Sequence, residues 1–338
     1  MSAAASPHQS VRLYVGTIGE GLWRSLDGGE TFTRTSDGMF VECHVRALAV
    51  HPIDQRVLFL GSEQGLYRSD DGADTWRRVE SPLNGLQIWS ILLLPVSPPT
   101  SSRSDEPAPD IILVGTCPAR IFRSDDGGAT WSEPDARMRQ DCPRIISTRL
   151  TAFCAHPSNP RTVWAGVEID GVYLSRDAGQ TWRPVGKSLS SPDIHALVYV
   201  PDTGRLIAST NNDVNVSLDE GETWQPLKLR EKLPLPYFRS LAQRCGRPHE
   251  LLLGNGDSPP GSTGVVARSL DGGATWRPAQ MPGRSNSTMW NFAVDPANAE
   301  LIFASSVSGQ IYRSADGGAT WQKLWREFGE IRALAWTP

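Results

Sequence analysis

An eight-residue motif occurs seven times in this 338-residue chain, and no other feature restricts its fold so much. The motif reads Ser-x-Asp-x-Gly/Ala-x-Thr-Trp/Phe, with copies beginning at Ser25, Ser69, Ser124, Ser175, Ser217, Ser269 and Ser314. Successive serines stand 44, 55, 51, 42, 52 and 45 residues apart, a spacing that suits a four-stranded sheet unit and not a helical repeat. In each copy the Asp can accept hydrogen bonds from the backbone N–H groups of a tight turn. The glycines, such as Gly28 and Gly29, supply backbone angles that a side chain would obstruct. The closing ring is Phe32 in the first copy and Trp76, Trp131, Trp182, Trp224, Trp276 and Trp321 in the others. A large ring at a fixed place in every repeat is expected to pack between neighbouring sheets. A catalytic Asp in every copy is the other reading, but seven equal copies are a poor way to build one active site.

The surrounding sequence supplies the rest of each unit. VRALAVHP (45–52), VLFLGS (57–62) and GLYRSDDGADTW (65–76) contain short apolar or alternating runs bounded by turn residues, which read as strands. Lettered A to D from the axis outwards, the four strands place the motif in the C–D turn. The chain begins with RLYVGT, a B-type strand, and ends with IRALAWTP, which repeats VRALAVHP almost residue for residue as an A-type strand. The last strand therefore completes the first unit, and ring closure removes exposed sheet edges. The fold class expected is all-β, a single seven-bladed β-propeller over 11–338, with four-stranded antiparallel blades and a flexible segment at 1–10. The Pro- and Ser-rich stretch at 95–110 breaks the rhythm and reads as a disordered excursion between strands A and B of the third blade.

A formal charge of −4 argues against wholesale electrostatic binding to nucleic acid or anionic membrane. No apolar run approaches the length that spans a bilayer, so no membrane insertion is expected. The first residues lack a basic stretch followed by an apolar one, which makes cytoplasmic residence the expectation. Five cysteines without a C-x-x-C pair suggest reduced thiols, not a disulfide framework or zinc site. No phosphate-binding loop, H-E-x-x-H or nucleophile elbow occurs, and His44 and His195 have no ligand spacing around them. Neither a cofactor nor a metal is expected.

The Ser-x-Asp-x-Gly-x-Thr-Trp copies resemble the Asp-box, or BNR, repeats of sialidases, xyloglucanases, sortilin-type receptors and photosystem II assembly-factor propellers. The resemblance covers essentially the whole chain and speaks for fold more than function, because the box lies away from the sites these families use. Sialidases are six-bladed, with an arginine triad and a Tyr–Glu nucleophile pair. Xyloglucanases of this type use two propellers with a cleft between them. Sortilin-type receptors need ten blades. The assembly factors match best in size, blade number and single-domain organisation. The resemblance to them implies a binding scaffold with arginines on one face.

The D–A and B–C connections should lie on the face opposite the boxes, where propellers commonly bind ligands around the axis. Alignment of the seven A strands puts Arg46, Trp89, Thr151, His195, Arg239, Trp290 and Arg332 at one step near that face. Two residues earlier stand His44, Gln87, Arg149, Asp193, Tyr237, Thr288 and Glu330. Core packing would not select such a ring. Arginine recognises carboxylate or phosphate through several directed bonds, and tryptophan offers flat apolar area. The other reading has the arginines satisfied internally by Glu330, Asp193 or Glu63, so that the ring only plugs the channel. B–C loops add Glu20, Glu63, Cys117, Glu168, Asp170, Asn211, Asn212 and Asp257, while the 132–150 connection adds Arg137, Arg139, Arg144 and Arg149.

Two functions fit these residues. The first is a binding propeller holding an anionic small molecule or an acidic partner segment through Arg46, Trp89, Arg239, Trp290, Arg332, His44, Tyr237 and Arg149. The second is an enzyme, a lyase or hydrolase acting on a carboxylate-bearing or sugar-like substrate. In that case His195 is the acid–base group, with Glu330, Glu168 or Glu63 as its carboxylate partner.

Overall fold

In the computed structural model, which describes residues 11–94, 111–142 and 146–338, antiparallel sheets radiate as seven blades from a central axis. Six blades have four strands; an example is blade 4, with Leu150–His156, Asn159–Val167, Gly171–Ser175 and Arg183–Val185 as strands A to D. In blade 3 the fourth strand shrinks to an isolated bridge between Arg123 and Ser132. Strands A and B of that blade end at Leu94 and resume at Ile111, so the excursion assigned to 95–110 lies outside the described residues. The same holds for the segment 1–10 and for Arg144. A short ribbon, Asp141–Cys142 against Ile146–Ser147, stands apart from the blades. No sequence signal pointed to it.

The ring closes as expected. Strand A of blade 1 is Ile331–Thr337, paired antiparallel with Arg12–Thr17 from Arg12↔Thr337 to Thr17↔Ile331. Among the described residues the core falls into seven apolar clusters, one at each junction between blades, and a small eighth of Tyr237, Trp290 and Val307. At the closure, Leu13 and Val15 meet Phe303, Ile311 and Trp336. Between blades 4 and 5, Trp164, Val172 and Leu174 meet Leu197, Leu206 and Trp224.

The repeated motif makes the same turn seven times. In the first, Asp27 Oδ1 accepts from Ser25 Oγ at 2.7 Å and Thr31 N at 2.9 Å, while Oδ2 accepts from Thr31 Oγ1 at 2.6 Å. Ser25 Oγ in turn accepts from Gly29 N at 2.8 Å. Hydrogen bonds from Thr130 hold the Asp126 carboxyl at about 2, well below the usual range. The closing ring packs between blades and usually ties back by its indole N–H, as in Trp224 Nε1 to Gly221 O at 2.8 Å. Phe32 and Trp131 are only half-buried.

A second set of bonds, missed in the sequence, latches six of the seven boxes to the preceding blade. Arg24 reaches Gly72 O (2.8 Å), Arg68 reaches Gly127 O (3.2 Å) and Arg123 reaches Ala178 O (2.9 Å). Trp164 Nε1 serves Glu220 O, Arg205 serves Gly272 O, and Arg313 closes the circle on Gly28 O. A side-chain donor thus satisfies a turn carbonyl that the box itself leaves free.

Candidate functional site

Each A strand is irregular at one residue. The A–B ladder skips Trp89, Thr151, His195, Arg239, Trp290 and Arg332, so each is the extra residue of a β-bulge. Blade 2 behaves alike: Arg46 N donates to Gly61 O at 2.8 Å although Gly61 is already paired with Ala47. A bulge re-aims a side chain, and here it turns one residue per blade towards the axis. The B-strand glycines opposite permit the next blade to approach. A Cβ at Gly16 would lie 2.5 Å from Val45 Cγ1, and one at Gly115 would lie 2.5 Å from Leu150 Cδ2.

The seven bulge residues and the two that follow each of them line a central channel of about 400 Å³. A mouth of about 790 Å³ opens above it, lined by Arg149, Glu168, Asp193, Asn211, Tyr237, Glu330 and, on one side, Pro259, Pro260, Val307 and Phe328. His195, Arg239, Trp290 and Arg332 border both spaces. Arg46 and Trp89 lie in the channel alone, and His44 lines neither space.

The tryptophans are not open platforms. Guanidinium carbons of Arg239 and Arg332 stand 4.1 and 4.6 Å from the Trp290 ring centroid. Those of Arg46 and Arg149 stand 5.0 and 4.6 Å from that of Trp89. Each indole is thus flanked by cations from the two neighbouring blades, a favourable alignment with its negative ring face. The flat area that the sequence offered to a ligand is largely taken by the protein's own arginines.

Internal pairing satisfies only part of the charge. Arg332 Nε is bonded to Glu330, and Arg149 Nη1 meets Glu168 Oε2 at 2.9 Å. Arg46 and Arg239 have no carboxylate partner among the described residues, and Arg46 Nε has no hydrogen-bond partner at all. Arg46 Nη2 stands 3.4 Å from His44 Nδ1. Burial pushes the Arg332 pKa down; Glu330 opposes this, while Arg239 and Arg46 add to the depression. Burial is also the main cause of the lowered value of Arg46, with Arg149 contributing. These mutual effects are the signature of cations gathered around one space.

His195 is 6% exposed, and its Nδ1 lies 2.7 Å from Phe238 O. A carbonyl only accepts, so Nδ1 carries a proton. Nε2 faces Asp193 Oδ1 at 3.4 Å and Tyr237 Oη at 3.5 Å. The carboxylate beside the histidine is therefore Asp193, with a Glu168 oxygen in the same cluster. Glu330 is engaged by Arg332, and Glu63 accepts from His44 N at 2.7 Å. Burial raises the Asp193 pKa, but the His195 contact and the fields of Arg239 and Arg149 outweigh it and leave it lowered. Burial raises that of Tyr237.

Oxygen and nitrogen atoms of Glu168, Asp193 and His195 lie within 4.8 Å of one another, close enough to surround a cation. Arg149 already occupies Glu168, and Arg239 acts on Asp193, which makes the place unfavourable for a metal dication. Other loop residues serve local structure. Asp170 accepts from Arg139 N and Tyr173 Oη, Asp257 closes its own loop, Glu20 accepts from Trp23, and Arg137 pairs with Asp135.

Comparison with known proteins agrees with this architecture. A BNR/Asp-box repeat model matches residues 122–133. A xyloglucanase from Paenibacillus sp is 33% identical over 273 residues, 71% of this chain and 26% of that protein. Xyloglucanase Xgh74A of Acetivibrio thermocellus is 26% identical over 207 residues, 55% of this chain and 23% of that protein. The chain spans about a quarter of the length of the curated relatives it matches. Among solved structures, YCF48 bound to D1 peptide superposes with a TM-score of 0.58 at 16% identity, covering 94% of both chains. YCF48 from Cyanidioschyzon merolae gives 0.54 at 14% identity, covering 84% of this chain and 87% of that one. The seven boxes and the closed ring place the chain in the Asp-box repeat superfamily of seven-bladed propellers.

Proposed function

We propose that this Asp-box propeller is a binding protein whose axial face, opposite the boxes, holds an anionic small molecule or an acidic segment of a partner. The observation that carries this reading is the pair of guanidinium groups, on Arg46 and Arg239, that line the axial channel and have no carboxylate partner among the described residues. Burying unpaired like charges is costly, and a bound anion relieves it. The YCF48 propeller seen with a peptide supports the partner-segment form of the reading, as a propeller of similar fold.

The test is a thermal-shift and calorimetric screen with small carboxylates, inorganic phosphate and acidic peptides at low and moderate salt. Binding should weaken as salt rises. Arg239→Gln should cost on the order of 2–5 kcal/mol of binding, because it removes a desolvated charge-assisted contact. A screen in which no anion binds or protects the fold on heating contradicts the proposal.

A second reading, favoured by the enclosure of His195 between Phe238 O, Asp193 and Tyr237, is an enzyme. It would be a lyase or hydrolase acting at the same mouth on a carboxylate-bearing or sugar-like substrate, with His195 as acid–base group. Turnover of a bound compound that is lost in His195→Gln while its binding persists would put this reading first.

A further inference from the structure

We infer that the axial mouth takes a small zwitterion with an apolar body, the class of free amino acids and dipeptides. This inference rests on the anion-binding reading above and adds a cation subsite to it. Its basis is the charge left over once internal pairs are formed. Arg149 is matched by Glu168, and Arg332 by Glu330. Asp193 of blade 5 has only the long 3.4 Å contact with His195 Nε2, and Arg239 of blade 6 has no carboxylate partner among the described residues, so one anion and one cation remain incompletely matched in the mouth. They sense each other's field but form no salt bridge. The mouth is therefore a dipole, and its complement is a molecule carrying both charges.

The hydrogen-bond inventory has the same polarity. Near Asp193 there are acceptors without donors. Its Oδ1 is buried and accepts no well-formed bond, and Asn211 Oδ1 is also buried and unpartnered. The single Tyr237 hydroxyl proton, 3.5 Å from His195 Nε2, cannot serve every acceptor around it. At Arg239 the sign is reversed: a guanidinium that no carboxylate among the described residues pairs lies stacked on Trp290. An unmatched buried polar group is expensive, so a ligand gains most by matching both ends. A ligand ammonium fits the cluster of Asp193, Glu168 and His195 Nε2, whose atoms lie within 4.8 Å of one another. It brings one charge and three directed N–H groups, where a metal dication would meet the opposing fields of Arg149 and Arg239. The carboxylate then lies on Arg239 and the Arg332 edge. Val307, Pro259, Pro260 and Phe328 supply an apolar wall for the body of the molecule.

The test uses matched ligands on the intact protein by titration calorimetry. The probes are L-phenylalanine, 3-phenylpropanoate and phenethylamine, and alanylphenylalanine beside its deaminated analogue. At one of the two lengths the zwitterion should bind about tenfold or more tightly than the acid alone. Phenethylamine should bind more weakly than phenylalanine. Asp193→Asn should close the gap between phenylalanine and 3-phenylpropanoate without weakening the acid. Arg239→Gln should weaken both. If the acids bind as well as the zwitterions at both lengths, the inference is overturned and anion binding stands. If no acid binds, both fail. The wild-type ligand series decides the matter even if a variant does not fold.

Discussion

Replacing Trp224 by Ala separates the structural role of the boxes from the chemistry of the axis. Trp224 is 2% exposed, packs among Trp164, Leu197 and Leu206 at the junction of blades 4 and 5, and donates to Gly221 O at 2.8 Å. A buried indole of roughly 200 Å² at about 25 cal/mol per Å² corresponds to about 5 kcal/mol of burial, part of which Ala retains. Mutational series place such truncations at about 3–5 kcal/mol. Loss of the N–H bond adds about 1 kcal/mol, which Trp224→Phe isolates approximately. Urea unfolding measures the stability change, and anion titration on the folded variant measures the site. The expected result is a large fall in unfolding midpoint with unchanged affinity, because the box and the mouth lie on opposite faces. A variant of full stability, or one that loses binding while keeping its stability, would refute the placement of the motif.

Three further outcomes follow from the same structure. Deleting Ile331–Pro338 exposes the edge of Arg12–Thr17 and removes Trp336 from the closing cluster, so the protein should melt lower and aggregate; an unchanged melting profile and soluble monomer would contradict closure. The box aspartates titrate below their unfolded value, with Asp71 and Asp126 at about 2. Depressed carboxyls contribute stability that is fully present above about pH 4 and lost as pH falls towards 2. Urea midpoints should decline across that window, and a flat profile would remove the boxes from the stability of the fold. Arg313→Ala breaks the latch to Gly28 O at the closing junction and should lower the melting temperature with no effect on anion affinity, read by calorimetry.

The ring architecture was legible because a repeat reports itself. Seven boxes count the blades, and the likeness of IRALAWTP to VRALAVHP reveals that the last strand completes the first blade. The axial residues were legible for the same reason, since aligned A strands place Arg46, Trp89, Thr151, His195, Arg239, Trp290 and Arg332 at one step. The bulges that aim them were not, because a skipped ladder position is a relation between two strands. Only the glycines opposite, such as Gly16 and Gly115, hinted at crowding there. Pairings across blades were equally hidden. Sequence alignment sets Trp290 beside Arg239 and Arg332 in the ring but says nothing of the 4.1 and 4.6 Å stacking that occupies the indole. His195 was found by position, whereas its neighbour Asp193 was passed over as a catalytic carboxylate in favour of Glu330, Glu168 and Glu63. The apolar wall of Pro259, Pro260 and Phe328 comes from loops whose composition resembles ordinary turns.

The central claim is that unpaired guanidinium groups at the axis form an anion site. Diffraction from crystals soaked in a brominated carboxylate tests it most directly, because bromine scatters anomalously. The account predicts a bromine peak in the mouth or channel, with the carboxylate against Arg239 and Arg332 or Arg46, and no such peak in Arg239→Gln crystals. Arg46 and Arg239 turning instead onto acidic side chains of the protein, with no anion at the axis, would contradict it.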